Sequence, residues 1–345
     1  MLRRAALLLF ALPLLAQLPP GTSRVTFRDD MQDARFFAAT PDGSLWAASF
    51  FGDDLERISA DGAKSLDLPQ LWRGTHGMTA GPDGALWLGG AGWIARIDPH
   101  TNAIQRWPQG TGVVTERILS GPDGNLWFIQ GRAVGRMRPD GKFLSKYDVG
   151  LSTGSAFGSD GALYLATPEQ LVRITAAGER KTFPTSALEL YSGPGFLWSS
   201  TKSPHEIVKL SYRGGTLATY SIAMTPFASD ALGNLWLRAT TEDGEIVGQL
   251  SPFGVLTRFS PLPAIPSSQC FPRWYGGLTF LADGRVAMSD YYPDLPRSAF
   301  SPNPCMNLRK PDEFRNVVTI LDPRLAPVAS VEQLNPAPRR RIVRP

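Results

Sequence analysis

The stretch Gly81-Pro82-Asp83-Gly84-Ala85-Leu86-Trp87 returns almost letter for letter as Gly121-Pro122-Asp123-Gly124-Asn125-Leu126-Trp127. Asp-Gly is the strongest short hairpin signal, and in a type I′ turn both central residues need positive φ. The Leu-Trp that follows opens a strand. Looser copies are Pro41-Asp42-Gly43-Ser44-Leu45-Trp46, Ser159-Asp160-Gly161-Ala162-Leu163-Tyr164, Gly193-Pro194-Gly195-Phe196-Leu197-Trp198, Leu232-Gly233-Asn234-Leu235-Trp236 and Ala282-Asp283-Gly284-Arg285-Val286. Their glycines (Gly43, Gly84, Gly124, Gly161, Gly195, Gly233 and Gly284) stand 34 to 51 residues apart. Seven copies at such a period make the fold a question about one repeating unit.

Each unit has four parts. A short apolar strand such as Gly77-Met78-Thr79-Ala80 precedes the turn, and the Leu-Trp strand follows it. A third strand reads apolar-x-Arg-apolar, as in Ile94-Ala95-Arg96-Ile97 and Val134-Gly135-Arg136-Met137. The fourth ends in an aromatic, as in Ile104-Gln105-Arg106-Trp107 and Leu256-Thr257-Arg258-Phe259. Alternating strands in groups of four with tight turns describe a propeller blade. The expected fold is therefore all-β, a seven-bladed β-propeller of four-stranded blades spanning residues 24–334, a ring that leaves few sheet edges open. Two segments compete to close it, Val25-Thr26-Phe27-Arg28 and Pro327-Val328-Ala329-Ser330-Val331.

Composition agrees with a turn-rich β protein: 34 Gly, 30 Pro and 43% hydrophobic residues in a 345-residue chain. Residues 1–16 read as a signal peptide, with Arg3 and Arg4 before the apolar run Ala5 to Ala16. That run is too short to span a bilayer, and nothing later resembles a transmembrane segment. Secretion or a periplasmic location is expected. The net charge of +4 owes much to Arg3, Arg4 and the tail residues Arg339, Arg340, Arg341 and Arg344. The body has no clustered basic face of the kind a nucleic-acid partner needs. Residues 335–345 read as a disordered basic, Pro-rich tail, and a monomer is expected.

The last unit carries two inserts, 261–275 and 291–316, which hold the cysteines Cys270 and Cys305. In an up-and-down blade, the loop entering the first strand and the loop joining the second and third emerge on one face. In an oxidising compartment this pair is expected to form a disulfide, stapling the inserts into a lid.

The repeated Gly-Pro-Asp-Gly-x-Leu-Trp-Phe, followed by a strand like Ile-Gly-Arg-Ile, resembles the streptogramin B lyase family of virginiamycin B lyase-like propellers. A looser likeness extends to NHL-repeat and gluconolactonase-type propellers. The resemblance runs from about Arg35 to Phe259. It implies a His before an inner strand as the base of an elimination, with nearby Glu residues helping to hold magnesium. Thr75-His76-Gly77 matches the His motif, with Gly74 where the family's stretch has Glu. At the aligned places of other units stand Arg35, Glu116, Thr153, Thr225 and Gly276. The Glu that often ends the family's second strand is replaced by Ser49, Gly90, Gln130, Thr167, Thr201 and Ala239, and by Asp290 in the last unit. The resemblance thus implies the fold more than the chemistry.

A propeller's usual ligand site is the channel mouth where the inner strands begin. His76 is the candidate catalytic base, since imidazole titrates near neutrality. Arg35, Glu116, Arg117, Gln130, Trp274, Tyr275, Tyr291 and Tyr292 are candidate ligand contacts, Glu116 and Arg117 alternatively forming an ion pair with each other. Glu116 and Asp290 could hold a hard cation, Mg or Ca; no other cofactor motif is present. Phe50, Phe51, Trp72, Trp93 and Phe271 add loop aromatics that could form a platform for a small molecule, sugar or peptide. The repeated Asp-Gly aspartates read as turn residues. Two functions are compatible with these residues. One is an exported binding or interaction module without lyase chemistry. The other is a metal-assisted C–O lyase or lactone hydrolase with relocated groups at the mouth.

Overall fold

The computed structural model describes residues 18–26, 34–50, 54–59, 62–67, 74–203, 205–241, 244–263, 274–291 and 317–337, and every statement here concerns those residues. They form a seven-bladed β-propeller of antiparallel sheets, six with four strands and one with five. Blade two is representative: Thr75–Ala80, Leu86–Gly90, Trp93–Ile97 and Ile104–Pro108 run up and down from the axis outward.

The turn that defines the repeat differs from the expected type. Gly84 N–H donates to the Gly81 carbonyl at 3.0 Å and Gly81 N–H to the Ala85 carbonyl at 2.8 Å. Among the described turn residues only the glycine is left-handed, with φ of +75° at Gly84. This is a four-residue turn closed by a bulge glycine, not type I′. A type I′ turn centred on Asp83-Gly84 would need positive φ at Asp83 as well, whereas here only the glycine takes it. The same turn forms without proline at Gly158–Gly161 and Leu281–Gly284.

The rest of the motif follows from that turn. Asp83 Oδ1 accepts the Trp87 indole N–H at 2.9 Å, and Asp83 Oδ2 accepts from Arg96 Nε at 2.6 Å. Asp123 does the same for Trp127 at 3.1 Å and Arg136 at 2.6 Å. In blade four Asp160 accepts from the Tyr164 hydroxyl and from Arg173. Turn aspartate, second-strand aromatic and third-strand arginine are one clamp. It lets a buried indole keep a hydrogen-bond partner, without which burial would cost about 1–3 kcal/mol. Gly81 is required by the same clamp, since a Cβ there would lie 2.3 Å from Trp87. The fourth-strand aromatic closes the stack: Trp107 lies parallel to Trp87 at 5.2 Å, and Phe259 to Trp236 at 5.8 Å.

Trp46, Trp87, Trp127, Trp198 and Trp236 are fully buried, and neighbouring blades share their apolar clusters. Thr22–Thr26 closes the ring, pairing with Val317–Leu321 as the outermost strand of blade seven. The competing segment, Val328–Gln333, lies against Val255–Phe259 as a fifth strand outside blade six. No helix in the described residues is long and apolar enough to cross a membrane.

Residues 1–16, most of the two inserts, Cys270, Cys305, Tyr292, Phe51, Trp72 and Phe271 lie outside the described residues, as does the tail beyond residue 337.

Candidate functional site

The first strands of the blades surround a cavity of about 650 Å3 on the propeller axis. Six blades supply described wall residues, including Phe36, His76, Arg117, Phe157, Tyr191 and Phe227. The wall is apolar and aromatic over much of its area, with a few ionisable groups set into it.

His76 reaches that wall because its strand is irregular. The pairing of Thr75–Ala80 with Leu86–Gly90 shifts register between Thr75 and Gly77, which makes His76 the bulged residue. A bulge re-aims one side chain without ending the ladder. Blade one repeats the device between Ala34 and Phe36, at Arg35. Phe50 joins the two blades: its ring meets His76 edge-on at 4.8 Å, and Arg35 Cζ lies 4.2 Å above it. Burial pushes the His76 imidazole below its usual range, the nearby Glu116 opposes this and Arg35 reinforces it. His76 is accordingly neutral at pH 7 and able to accept a proton.

Glu116 and Arg117 do not pair with each other. Glu116 precedes the strand Arg117–Ser120, and Arg117 turns toward blade five. Its Nη2 donates to the Thr153 carbonyl at 2.5 Å and to both Glu189 carboxylate oxygens at 3.3 and 3.4 Å. Nη1 reaches Ser155 Oγ at 3.5 Å. The pair is open to the channel, with side-chain exposures of 36% for Arg117 and 44% for Glu189. Protein surrounds the Glu189 carboxyl on several sides nonetheless, and this burial raises its pKa against the pull of Arg117. Beside it, Tyr191 donates its hydroxyl to the Pro226 carbonyl at 3.0 Å, and burial and the Glu189 charge hold it protonated.

Glu189 and Tyr191 are absent from the residues expected on sequence. The turn Gly193-Pro194-Gly195 lacks the aspartate and is one residue shorter than its counterparts. Counting back from the glycine therefore misses the register. Pairing shows that Leu190 faces Ser199 and Tyr191 faces Trp198, as Ile118 faces Phe128 and Leu119 faces Trp127. Glu189 thus takes the place that Arg117 holds in blade three and Gly77 in blade two. Counting four residues back from the leading glycine of the turn, as from Gly81 to Gly77 and from Gly121 to Arg117, would have found it from Gly193.

Several expected contacts lie elsewhere. Gln130 is buried among Gln109, Thr115 and Lys146, bonded to all three, and does not line the cavity. Asp290 is fully buried and receives two hydrogen bonds from Arg238 Nη2, at 2.7 and 2.8 Å, while Arg238 Nε donates to Glu245. It is not partnered with Glu116 as a cation site. Trp93 is a buried strand residue, not a loop aromatic. Trp274, Tyr275 and Tyr291 also lie in strands, Trp274 opposite Tyr291 and Tyr275 opposite Asp290.

The described residues do not assemble the magnesium site that the resemblance implies. Among the described residues no three His, Cys, Asp or Glu side chains come together to hold a metal ion. Magnesium is held by oxygen ligands in a near-octahedral set. Here Glu189 faces Arg117 and Asp290 faces Arg238.

Comparison with solved structures supports the architecture. A streptogramin B lyase superposes with a TM-score of 0.61 at 19% identity, covering 87% of this chain and 98% of that one. A catalytically inactive virginiamycin B lyase from Staphylococcus aureus, solved with quinupristin, gives 0.62 at 18% identity over 87% and 100%. The WD40 propeller domain of Doa1 gives 0.60 at 13% identity over 89% and 97%. Such values carry the fold alone, since a propeller of another family scores as well as the lyases. No curated protein matches the chain. Residues 16–192, just over half of the chain, match the family described as the Virginiamycin B lyase family. The repeat clamp, the bulged His76 and this match agree: the chain belongs to the virginiamycin B lyase family.

Proposed function

We propose that this protein is an exported, monomeric binding module that holds a small, largely apolar ligand in its axial channel without lyase chemistry. The observation that carries this reading is the composition of the channel wall. Phe36, Phe157, Tyr191 and Phe227 supply apolar area, while His76 near Glu116 and the Arg117–Glu189 pair offer polar contacts. Pockets of this kind bind by burying apolar surface and orient the ligand through a few placed polar groups. Family membership does not require the lyase activity, because function resides in the site and not the fold.

A second reading is favoured by one observation, the neutral His76 on its bulge beside Glu116. His76 would then act as a general base in a C–O elimination or a lactone opening. The two readings separate in one experiment. The purified protein is incubated with quinupristin and a panel of simple and macrocyclic lactones, with and without Mg2+. Mass spectrometry follows ring opening, and calorimetry follows binding. Binding without product is expected. Product formation that disappears in His76→Ala would overturn the module reading in favour of the enzyme.

A further inference from the structure

We propose that the channel selects ligands carrying a protonated amine on an apolar body, with the ammonium docked on Glu189 beside Tyr191. The inference rests on the binding reading above and adds to it the chemical class of the ligand.

The argument starts from how poorly Glu189 is satisfied. An ionised carboxylate offers about four acceptor positions. Those of Glu189 receive two long hydrogen bonds, and both come from the same nitrogen, Arg117 Nη2. Charge-assisted N–H···O bonds of full strength are about 2.7–2.9 Å long. Arg117 spends its shortest bond on the Thr153 carbonyl instead. The arginine is thus anchored to backbone, and the carboxylate is the member of the pair with unused capacity. A carboxylate in such surroundings gains most from a second cation.

The charges of Glu116 and Arg35 act in opposite directions on His76, and Arg117 is tied to backbone, which leaves the under-bonded Glu189 as the place where a ligand cation gains. Phe36, Phe157 and Tyr191 line the same cavity, and an aromatic face attracts a cation within about 6 Å of its centre; Phe227 already has the Arg238 guanidinium 5.9 Å from its ring. An anionic ligand would have to displace Glu189 from Arg117 and strand that carboxylate in an apolar wall.

The test uses three probes of one shape: naphthylmethylamine, naphthylmethanol and naphthoate. Ligand-observed NMR and calorimetry measure each against the wild-type protein, Glu189→Gln and Arg117→Met, after thermal unfolding shows that each variant is folded. The amine should bind at least about tenfold more tightly than the alcohol, and Glu189→Gln should remove that preference while sparing the alcohol. Arg117→Met should strengthen amine binding, because Glu189 loses its competitor; a merely structural role for the pair would weaken all probes in both variants. Equal binding of amine and alcohol, or a preference for naphthoate that Arg117→Met abolishes, would overturn the inference while leaving the channel a binding site. Failure of all three probes to bind would instead overturn the binding reading, and this inference with it.

Discussion

Arg238 and Arg117 each stand near two carboxylates, yet the two places are opposites. Arg238 links Glu245 of its own blade to Asp290 of blade seven, and all three side chains are at most 2% exposed. Arg117 has Glu116 beside it in sequence and Glu189 two blades away, with exposures of 36% and 44% for the paired side chains. The first set is short, multiply bonded and sealed from solvent. The second is long, single-sided and open to the channel. Removing a partner from a sealed set leaves an uncompensated charge, so that set acts as a fastening between blades. An open pair is screened and weak, which leaves its charges available to something that enters.

The largest expected difference follows directly. Arg238→Met should destabilise the protein by about 3–5 kcal/mol, measured by urea unfolding, because Asp290 and Glu245 lose the cation that compensates them. Neutralising the acids as well, in a triple variant with Asp290→Asn and Glu245→Gln, should restore much of that loss. A single-variant loss under about 1 kcal/mol would erase the contrast between the two regions. Next, Asp123→Ala should cost about 1–3 kcal/mol, since the buried Trp127 indole loses its acceptor. Arg117→Met should cost less than about 1 kcal/mol, as befits a half-exposed pair.

The smallest effects are pH-dependent. Burial opposes ionisation of Asp123, but hydrogen bonds from Trp127 and Asn125 and the Arg136 charge outweigh it, holding its pKa below 3.8. Asp42 and Asp160 are lowered in the same way. A folded pKa below the unfolded one means stability that is present above pH 3.8 and lost as pH falls through the folded values. The propeller should therefore lose stability below about pH 4. Glu189 carries the opposite sign: its raised pKa means that its ionised form disfavours folding at neutral pH, a cost relieved as pH falls. Glu189→Gln should accordingly leave the neutral-pH midpoint unchanged or slightly higher, with the difference vanishing in acid. For His76, lowered below 6.5, stability falls as pH drops below that value. His76→Gln should flatten this shallow slope.

Much of the fold was legible because its causes are local. Asp83, Trp87 and Arg96 recur together because one turn, one indole and one guanidinium form a single hydrogen-bonded unit. The Asp-Gly pair marked where each turn falls but pointed to type I′, whereas only the glycine is left-handed. His76 was legible as the family's motif, and Glu116 as its neighbour in the next blade. Glu189 was hidden by a single missing turn residue. Arg238, Glu245 and Asp290 were hidden by their spacing across two blades, which no periodicity marks.

From the chain alone came the repeat, the count of seven and the position of each turn, all set by residues close in sequence, with the candidate base marked by the family motif. Only the closed ring decided that Thr22–Thr26 seals blade seven, that Arg117 finds Glu189 and not Glu116, and that Asp290 belongs to Arg238. The physical reason is that neighbouring blades set inner-strand side chains from distant repeats side by side, where charge pairing and desolvation, not sequence order, choose the partners.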